Sequence, residues 1–209
     1  MVVANGAPPS KKLFNILAER SGCLIAVDGG LQRYRRADIT PDLLIGDLDS
    51  VSADDQNWIQ RRKTKTLPRR NQDATDLEKT LLYCRQRNWK SVAVLSVNGN
   101  RPDHYLNGLD LAFKLRGLSL HYFVDDMLLI PLTGSKALTL DAGTEHTLSW
   151  FGFPHAAGCE LRNVAWPFNK RTLLTGSFQS VSNRTLGPVV IRQKSGRSIV
   201  MISLKPERK

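Results

Sequence analysis

"SVAVLSVNGNRPDHYLNGLDLAFKLRGLSLHYFVD" (residues 91–125) decides the fold. Its first seven and last eight residues are apolar runs rich in Val, Leu, Tyr and Phe, the texture of strands buried on both faces. Between them a Gly/Asn loop leads into a helical pattern over 103–116. Strand, helix and strand in that order predict parallel strands joined by a crossover. The same alternation extends toward the N-terminus. "LIAVD" (24–28) and "DLLIGD" (42–47) predict two further strands, and residues 11–21, 54–62 and 75–88 predict helices. From about residue 127 the texture changes to short β-rich segments separated by Gly, Pro, Asn or Ser. These are "MLLIPL", "KALTL", "EHTLSWF", "CELRNVAW", "RTLLTGSF", "PVVIRQ" and "SIVMISL", the signature of an antiparallel sandwich or barrel. Two domains are expected, an α/β domain over 1–126 with a mostly parallel sheet and an all-β antiparallel domain over 127–209.

Composition narrows the function classes. With 41% hydrophobic and 23% charged residues, the chain reads as a soluble globular protein. No apolar run approaches the roughly 20 residues of a membrane span, and no secretory leader is expected at the N-terminus. Cys23, Cys84 and Cys159 are odd in number and scattered, which suits reduced thiols in the cytoplasm. Thirty lysines and arginines against 19 acids give a formal charge of +11, suited to nucleic acid or a nucleoside polyphosphate. The densest basic stretch, "RRKTKTLPRR" (61–70), reads as a solvated helix end and loop. No aromatic residue interleaves with its charges, so nucleic acid is not the expected partner.

Ligands of parallel sheets bind beyond the carboxyl ends of the strands. Asp28, Asp47 and Asp49 all fall there, which makes them one candidate site. In "GDLDS", residues two apart in an extended segment point to the same side. Two carboxylates about 4 Å apart repel by roughly 4 kcal/mol at an effective dielectric near 20. A divalent cation, a shared proton or a basic side chain must compensate. Asp28 is followed by Gly29-Gly30, which permit positive φ and close ligand approach, or simply a turn. Thr75 and Glu78 form a capping box, with Asp76 in the favoured first turn; capping leaves Asp73 unexplained. Gly99 and its neighbouring asparagines suit a loop offering N–H groups to phosphate. Arg101 suits bidentate phosphate contact, and Asp103 suits either a helix cap or a site. His104, a lone histidine in a first turn, is left outside the site.

The order of these motifs resembles the thiamine pyrophosphokinase family: Asp-Gly-Gly at 28–30, "PDLLIGDLDS" at 41–50, "DATDLEKTL" at 73–81 and "NRPDH" at 100–104. "NVAWPF" (163–168), "SN" (182–183) and "VVIRQKSGRSIVMISL" resemble its C-terminal domain, so the likeness covers most of the chain. One departure is Asn100, where the family usually has a second glycine before the arginine. The resemblance implies a β-sandwich C-terminal domain and a homodimer with active sites at the subunit interface. It implies transfer of the terminal diphosphate of ATP to thiamine, releasing AMP, with Mg2+ held by Asp47, Asp49 and Asp76. Asp28, Gln72, Thr75, Arg101 and Asp103 match positions around nucleotide and substrate, and Trp166, Ser182 and Asn183 match the thiamine-side wall. An indole face attracts the cationic thiazolium ring by about 0.5–2 kcal/mol. The rivals are a metal-dependent phosphoesterase or nuclease using the aspartates and a basic nucleic-acid-binding module.

Overall fold

The computed structural model describes all residues except Ser50, Gln72 and residues 207–209. The chain forms two compact units, Met1–Asp125 and Asp126–Lys209. In the first, strands and helices alternate as β1 (Val2–Val3), α1 (Lys11–Glu19), β2 (Ile25–Val27), α2 (Leu31–Ala37), β3 (Leu43–Gly46) and α3 (Ala53–Arg61). They continue as β4 (Lys65–Pro68), α4 (Asp76–Gln86), β5 (Ser91–Leu95), α5 (Pro102–Lys114) and β6 (Ser119–Val124). The strand order is β4-β3-β2-β1-β5-β6, and every neighbouring pair is parallel. β2 and β3 are buried along their whole length. Leu44, Leu95 and the edge-on pair Phe14–Tyr34 (centroids 5.2 Å apart) anchor one apolar cluster of this unit.

The chain order reverses at β1. From β1 to β4 the strands step outward one way, whereas β5 and β6 lie on the other side of β1. The crevice beyond such a switch point is where α/β sheets take their ligands. Here the N–H groups of Ala4, Gly6 and Ala7 donate to the carbonyls of Leu95, Ser96 and Asn98 (2.9, 2.7 and 2.5 Å). These bonds prolong the β1–β5 pairing past the strand ends.

Several local readings are corrected. Residues 65–68, read as loop, form the edge strand β4; it has a single strand neighbour and little burial, so it lacks the apolar signal of a central strand. Its basic neighbours suit an edge that must not pair with another chain. Helix α5 starts at Pro102, so Arg101 is its N-cap and Asp103 lies in its first turn without capping it. Thr75 does cap α4, accepting from the Glu78 N–H at 3.3 Å. The Glu78 carboxylate instead pairs with Lys114 of α5 at 2.5 Å and ties the two helices together.

The second unit contains only strands among the described residues: β7 (Met127–Thr133), β8 (Lys136–Leu140), β9 (Thr144–Val164), β10 (Phe168–Leu174), β11 (Ser180–Gln193) and β12 (Ser195–Ser203). Two segments that read as separate strands, "EHTLSWF" and "CELRNVAW", belong to the single 21-residue β9. Its first half lies between β12 (Trp150 opposite Val200) and the start of β11 (Leu148 opposite Asn183). Its second half lies between β10 (Leu161 opposite Phe168) and the end of β11 (Glu160 opposite Arg192), with β8 beyond. One apolar cluster draws on both halves, including Leu148, Trp150, Cys159, Leu161, Ile191 and Val200. No helix of the described residues is long and apolar enough to cross a membrane.

Candidate active site

Three carboxylates meet at the strand ends of the first unit. Asp28 follows β2, Asp47 follows β3 and Asp76 opens α4, and one oxygen from each lies within 4.8 Å of the others. The backbone is bent to bring them there. Asp28 itself holds the left-handed conformation (φ 44°), as do Leu48 (69°) and Ser96 (58°) after β3 and β5. Such conformations cost of order 1–3 kcal/mol each in a non-glycine residue and cluster at functional sites. Asp28 Oδ1 is buried with no hydrogen-bond partner among the described residues, and so is Ser96 Oγ. Lys79 bonds Asp76 Oδ1 (3.0 Å) and the Arg69 carbonyl (2.8 Å). Burial lifts the Asp76 carboxyl above its ordinary range; Lys79 pulls it back, while Asp47 and Asp28 push it further up.

Leu48 also explains where Asp49 goes. Left-handed backbone at Leu48 breaks the two-residue alternation on which the shared-volume argument rested. Asp49 turns outward, exposed, and its N–H donates to Asp47 Oδ1 at 3.1 Å. It lies outside the three-carboxylate group, in which Asp28 stands instead. The glycines after Asp28 are corrected as well. Neither has positive φ; a Cβ on Gly30 would sit 2.1 Å from the Val3 carbonyl oxygen, and one on Gly29 2.4 Å from Asn5 Nδ2. They are needed for close packing against β1 and the loop after it.

A cleft of about 550 Å³ opens beside these groups at the switch point. Of the expected residues, Asp28, Thr75, Asp76, Gly99 and Arg101 line it. Asp73 is exposed and outside its walls, its N–H taken by Asn71 Oδ1 (2.7 Å). Asp103 also stands outside the walls and grips Arg101 through two bonds (3.0 and 2.6 Å), which hold its carboxyl down to about 2. Gln72 lies outside the described residues. The cleft adds side chains that local patterns did not reveal. Arg33 donates to the carbonyls of Gly6 (2.6 Å) and Asn5 (3.3 Å), and Asn107 accepts from the Thr75 hydroxyl (3.3 Å). His104, set aside in the sequence, is part of the wall. Arg33 and Asn107 reach the cleft from α2 and α5, outside any short motif.

In the second unit Trp166 is 64% exposed. Asn183, buried, accepts from the Trp166 N–H (3.1 Å) and donates to its carbonyl (2.7 Å), fixing the turn that presents the indole. Ser182 is exposed at φ 52°, its N–H held by Ser149 Oγ (3.0 Å).

The family model "Thiamin pyrophosphokinase, catalytic domain" matches residues 14–124, more than half of the chain and all of the cleft's lining except Ala4–Ala7. The chain belongs to the thiamin pyrophosphokinase family. Thiamine pyrophosphokinase 1 of Arabidopsis thaliana is 23% identical over 232 residues, covering 98% of this chain and 86% of the relative. Among solved structures, the thiamine pyrophosphokinase of Bacillus subtilis superposes with a TM-score of 0.84 at 20% identity, covering 98% of both chains. That of Candida albicans gives 0.83 at 14%, covering 98% of this chain and 88% of the other. At such identities the structural likeness speaks for the fold, and the family model speaks for membership.

Proposed function

We propose that this thiamine pyrophosphokinase family member transfers the terminal diphosphate of ATP to the hydroxyl of thiamine, giving thiamine diphosphate and AMP. The observation that carries the reading is the convergence of Asp28, Asp47 and Asp76 beside a cleft at the sheet's switch point. The donor set fits Mg2+, which takes hard oxygen ligands from a few carboxylates plus waters and phosphates. The orphaned, buried Asp28 Oδ1 fits it too, because an uncompensated buried carboxylate oxygen is costly. Asp28, Asp47 and Asp76 would hold the ion. Asp49 stays in the proposal as a further ligand, its carboxylate open on the exposed side. Bound there, Mg2+ supplies charge neutralisation at the phosphates of ATP.

The chain's own groups position the reactants, which is most of what phosphoryl-type transfer demands. Arg101 offers its guanidinium fork to phosphate oxygens in exchange for Asp103. Arg33 braces the Asn5–Gly6 backbone that forms one wall. Arg101 holds the Asp103 carboxyl down to about 2 while it grips it, and the exchange would release that carboxylate. We further propose that Trp166 stacks on the thiazolium ring, with Asn183 positioning it and Ser182 alongside. A β-sandwich second domain, a homodimer with active sites at the subunit interface, and a cytoplasmic location complete the proposal.

The deciding assay is AMP release from ATP with and without thiamine, at fixed Mg2+. Release only with thiamine is expected. Thiamine-independent hydrolysis of phosphoesters would favour the phosphoesterase reading instead. Sedimentation should give twice the chain mass, and a monomer that is fully active would remove the dimer from the proposal.

A further inference from the structure

The second unit holds a cavity of about 480 Å³ that shares no residue with the aspartate cleft. From residue 126 onward the sequence has eleven lysines and arginines against five acids. Five of those cations, Lys136, Arg162, Lys170, Arg192 and Lys194, line this one cavity, with Glu160 as its sole acid. The sheet register explains the gathering. Arg192 of β11 lies between Ala137 of β8 and Glu160 of β9, and Lys194 and Arg162 lie two residues along from Arg192 and Glu160. Two-residue spacing keeps Glu160 and Arg162 on one face with Arg192 opposite, while Cys159, Leu161 and Ile191 turn into the core; Lys194 enters from the bend between β11 and β12, and Lys136 from the start of β8 opposite Gln193. On β10, Asn169 and Lys170 fall in an irregular stretch opposite Glu160, where Lys170 takes φ 53°.

An exposed sheet face studded with charges is ordinary, but three features go beyond that. Glu160, only 9% exposed, ion-pairs with Arg162 and with Arg192 (3.4 Å), so one buried carboxylate pins two guanidinium forks side by side. The stem of Lys194 lies over Gly158: a Cβ there would come within 2.7 Å of its Cγ, at a φ of 63°. Lys136, Lys170 and Lys194 have no ion-pair partner among the described residues, although like charges side by side on a sheet destabilise it. A wall with five cations against one acid, a net charge of +4, and no aromatic side chain suits clustered phosphate oxygens, not a base or ring. The volume is that of a small-molecule site.

We propose that this cavity is a binding site for a compact polyphosphate anion, either free or as the tail of a nucleotide. It takes the anion without a divalent metal, because its charge is already complementary. That property separates it from the cleft, whose three carboxylates repel a bare polyphosphate.

The test is calorimetric titration of the full chain with inorganic triphosphate in EDTA. One equivalent per chain is expected. The Lys136→Gln/Lys194→Gln variant should bind about tenfold more weakly or worse, for two lost charge-assisted contacts. Lys170→Gln, on a different strand, should weaken binding independently, with unfolding midpoints unchanged in both variants. ATP in EDTA should bind within a few-fold of triphosphate if the tail alone is read, and AMP far more weakly. Thiamine-dependent AMP release should survive in both variants, so failure here is distinguishable from failure of the proposed reaction. Unchanged affinity in both variants, or no binding of triphosphate, would overturn the proposal. Tighter binding of a short oligonucleotide would also overturn it, in favour of nucleic acid.

Discussion

Asp47 stands between two demands: it must approach Asp28 and Asp76 closely enough to share a cation, yet fold without one. Without metal the three carboxylates repel, and among the described residues only Lys79, at Asp76, opposes them as an ion pair. Asp47→Asn removes one charge from that group and keeps the shape of the side chain. The expected outcome is loss of diphosphate transfer with a melting temperature, measured in EDTA, equal to or above that of the parent. Near-normal turnover at saturating Mg2+ would show that Asp47 holds no metal. Trp166 makes the second residue-scale case, because its indole is exposed while Asn183 fixes its backbone. Trp166→Leu keeps an apolar surface and removes the π-face. It should raise the KM for thiamine several-fold, about the worth of one cation–π contact, and leave the KM for ATP nearly unchanged. Equal effects on both substrates would mark the residue as structural.

At the scale of elements, helix α3 depends on one acid. Asp55 is 2% exposed and accepts from Ser52 N–H (3.1 Å), Ser52 Oγ (2.8 Å) and Gln32 (2.8 Å), and it pairs with Arg35 of α2. Burial pushes its carboxyl up, but the hydrogen bonds from Ser52, Arg35 and Gln32 outweigh that and hold it below the ordinary range. A depressed carboxyl contributes stability above its unfolded value, near 4, and loses it as pH falls through the lower, folded value. Asp55→Asn should cost roughly 2–4 kcal/mol in urea unfolding at neutral pH, for a broken buried pair and cap. The gap from the parent should narrow as pH falls below the unfolded value, as the carboxylate's advantage is titrated away; a gap unchanged with pH would assign the loss to packing. The central strands β2, β3, β5 and β6 were legible in the sequence, because burial leaves long apolar runs. β4 was not, since an exposed edge strand carries no such pattern, and α2 was hidden behind Asp-Gly-Gly, which reads as a turn. The site divides in the same way. Asp47 and Asp76 stood in recognisable motifs, whereas Arg33 and Asn107 reach the cleft through the tertiary placement of helices. Asp49 stands apart from the three-carboxylate group because a single left-handed residue, Leu48, overrides the strand's alternation.

For the molecule as a whole, the two units differ in where the last strand of each comes to lie: β6 ends the order β4-β3-β2-β1-β5-β6 of its unit, whereas β12 lies between β7 and β9. In the first, β1 to β6 pair with one another, and the last of them made, β6, pairs with β5. In the second, β9 pairs along its first half with β12, as in Leu148 opposite Ile202, and β12 also supplies the neighbour of β7. A chain emerging from the ribosome at about 5–20 residues per second meets these requirements in order. The first unit has its full complement of strands once β6 is out. The second must wait for its last strand, holding Leu148, Trp150 and the rest of its apolar face uncovered while β10 and β11 are still being made. Nascent chains stalled after β6 has cleared the tunnel should already give a protease-resistant fragment. Chains stalled with β11 exposed and β12 inside should remain cleavable throughout β7–β11, and become resistant when β12 emerges. Resistance before that point would mean that β9 and β11 close on themselves. The interval between the two events is when this protein most needs a chaperone, and slow codons between β11 and β12 would lengthen it.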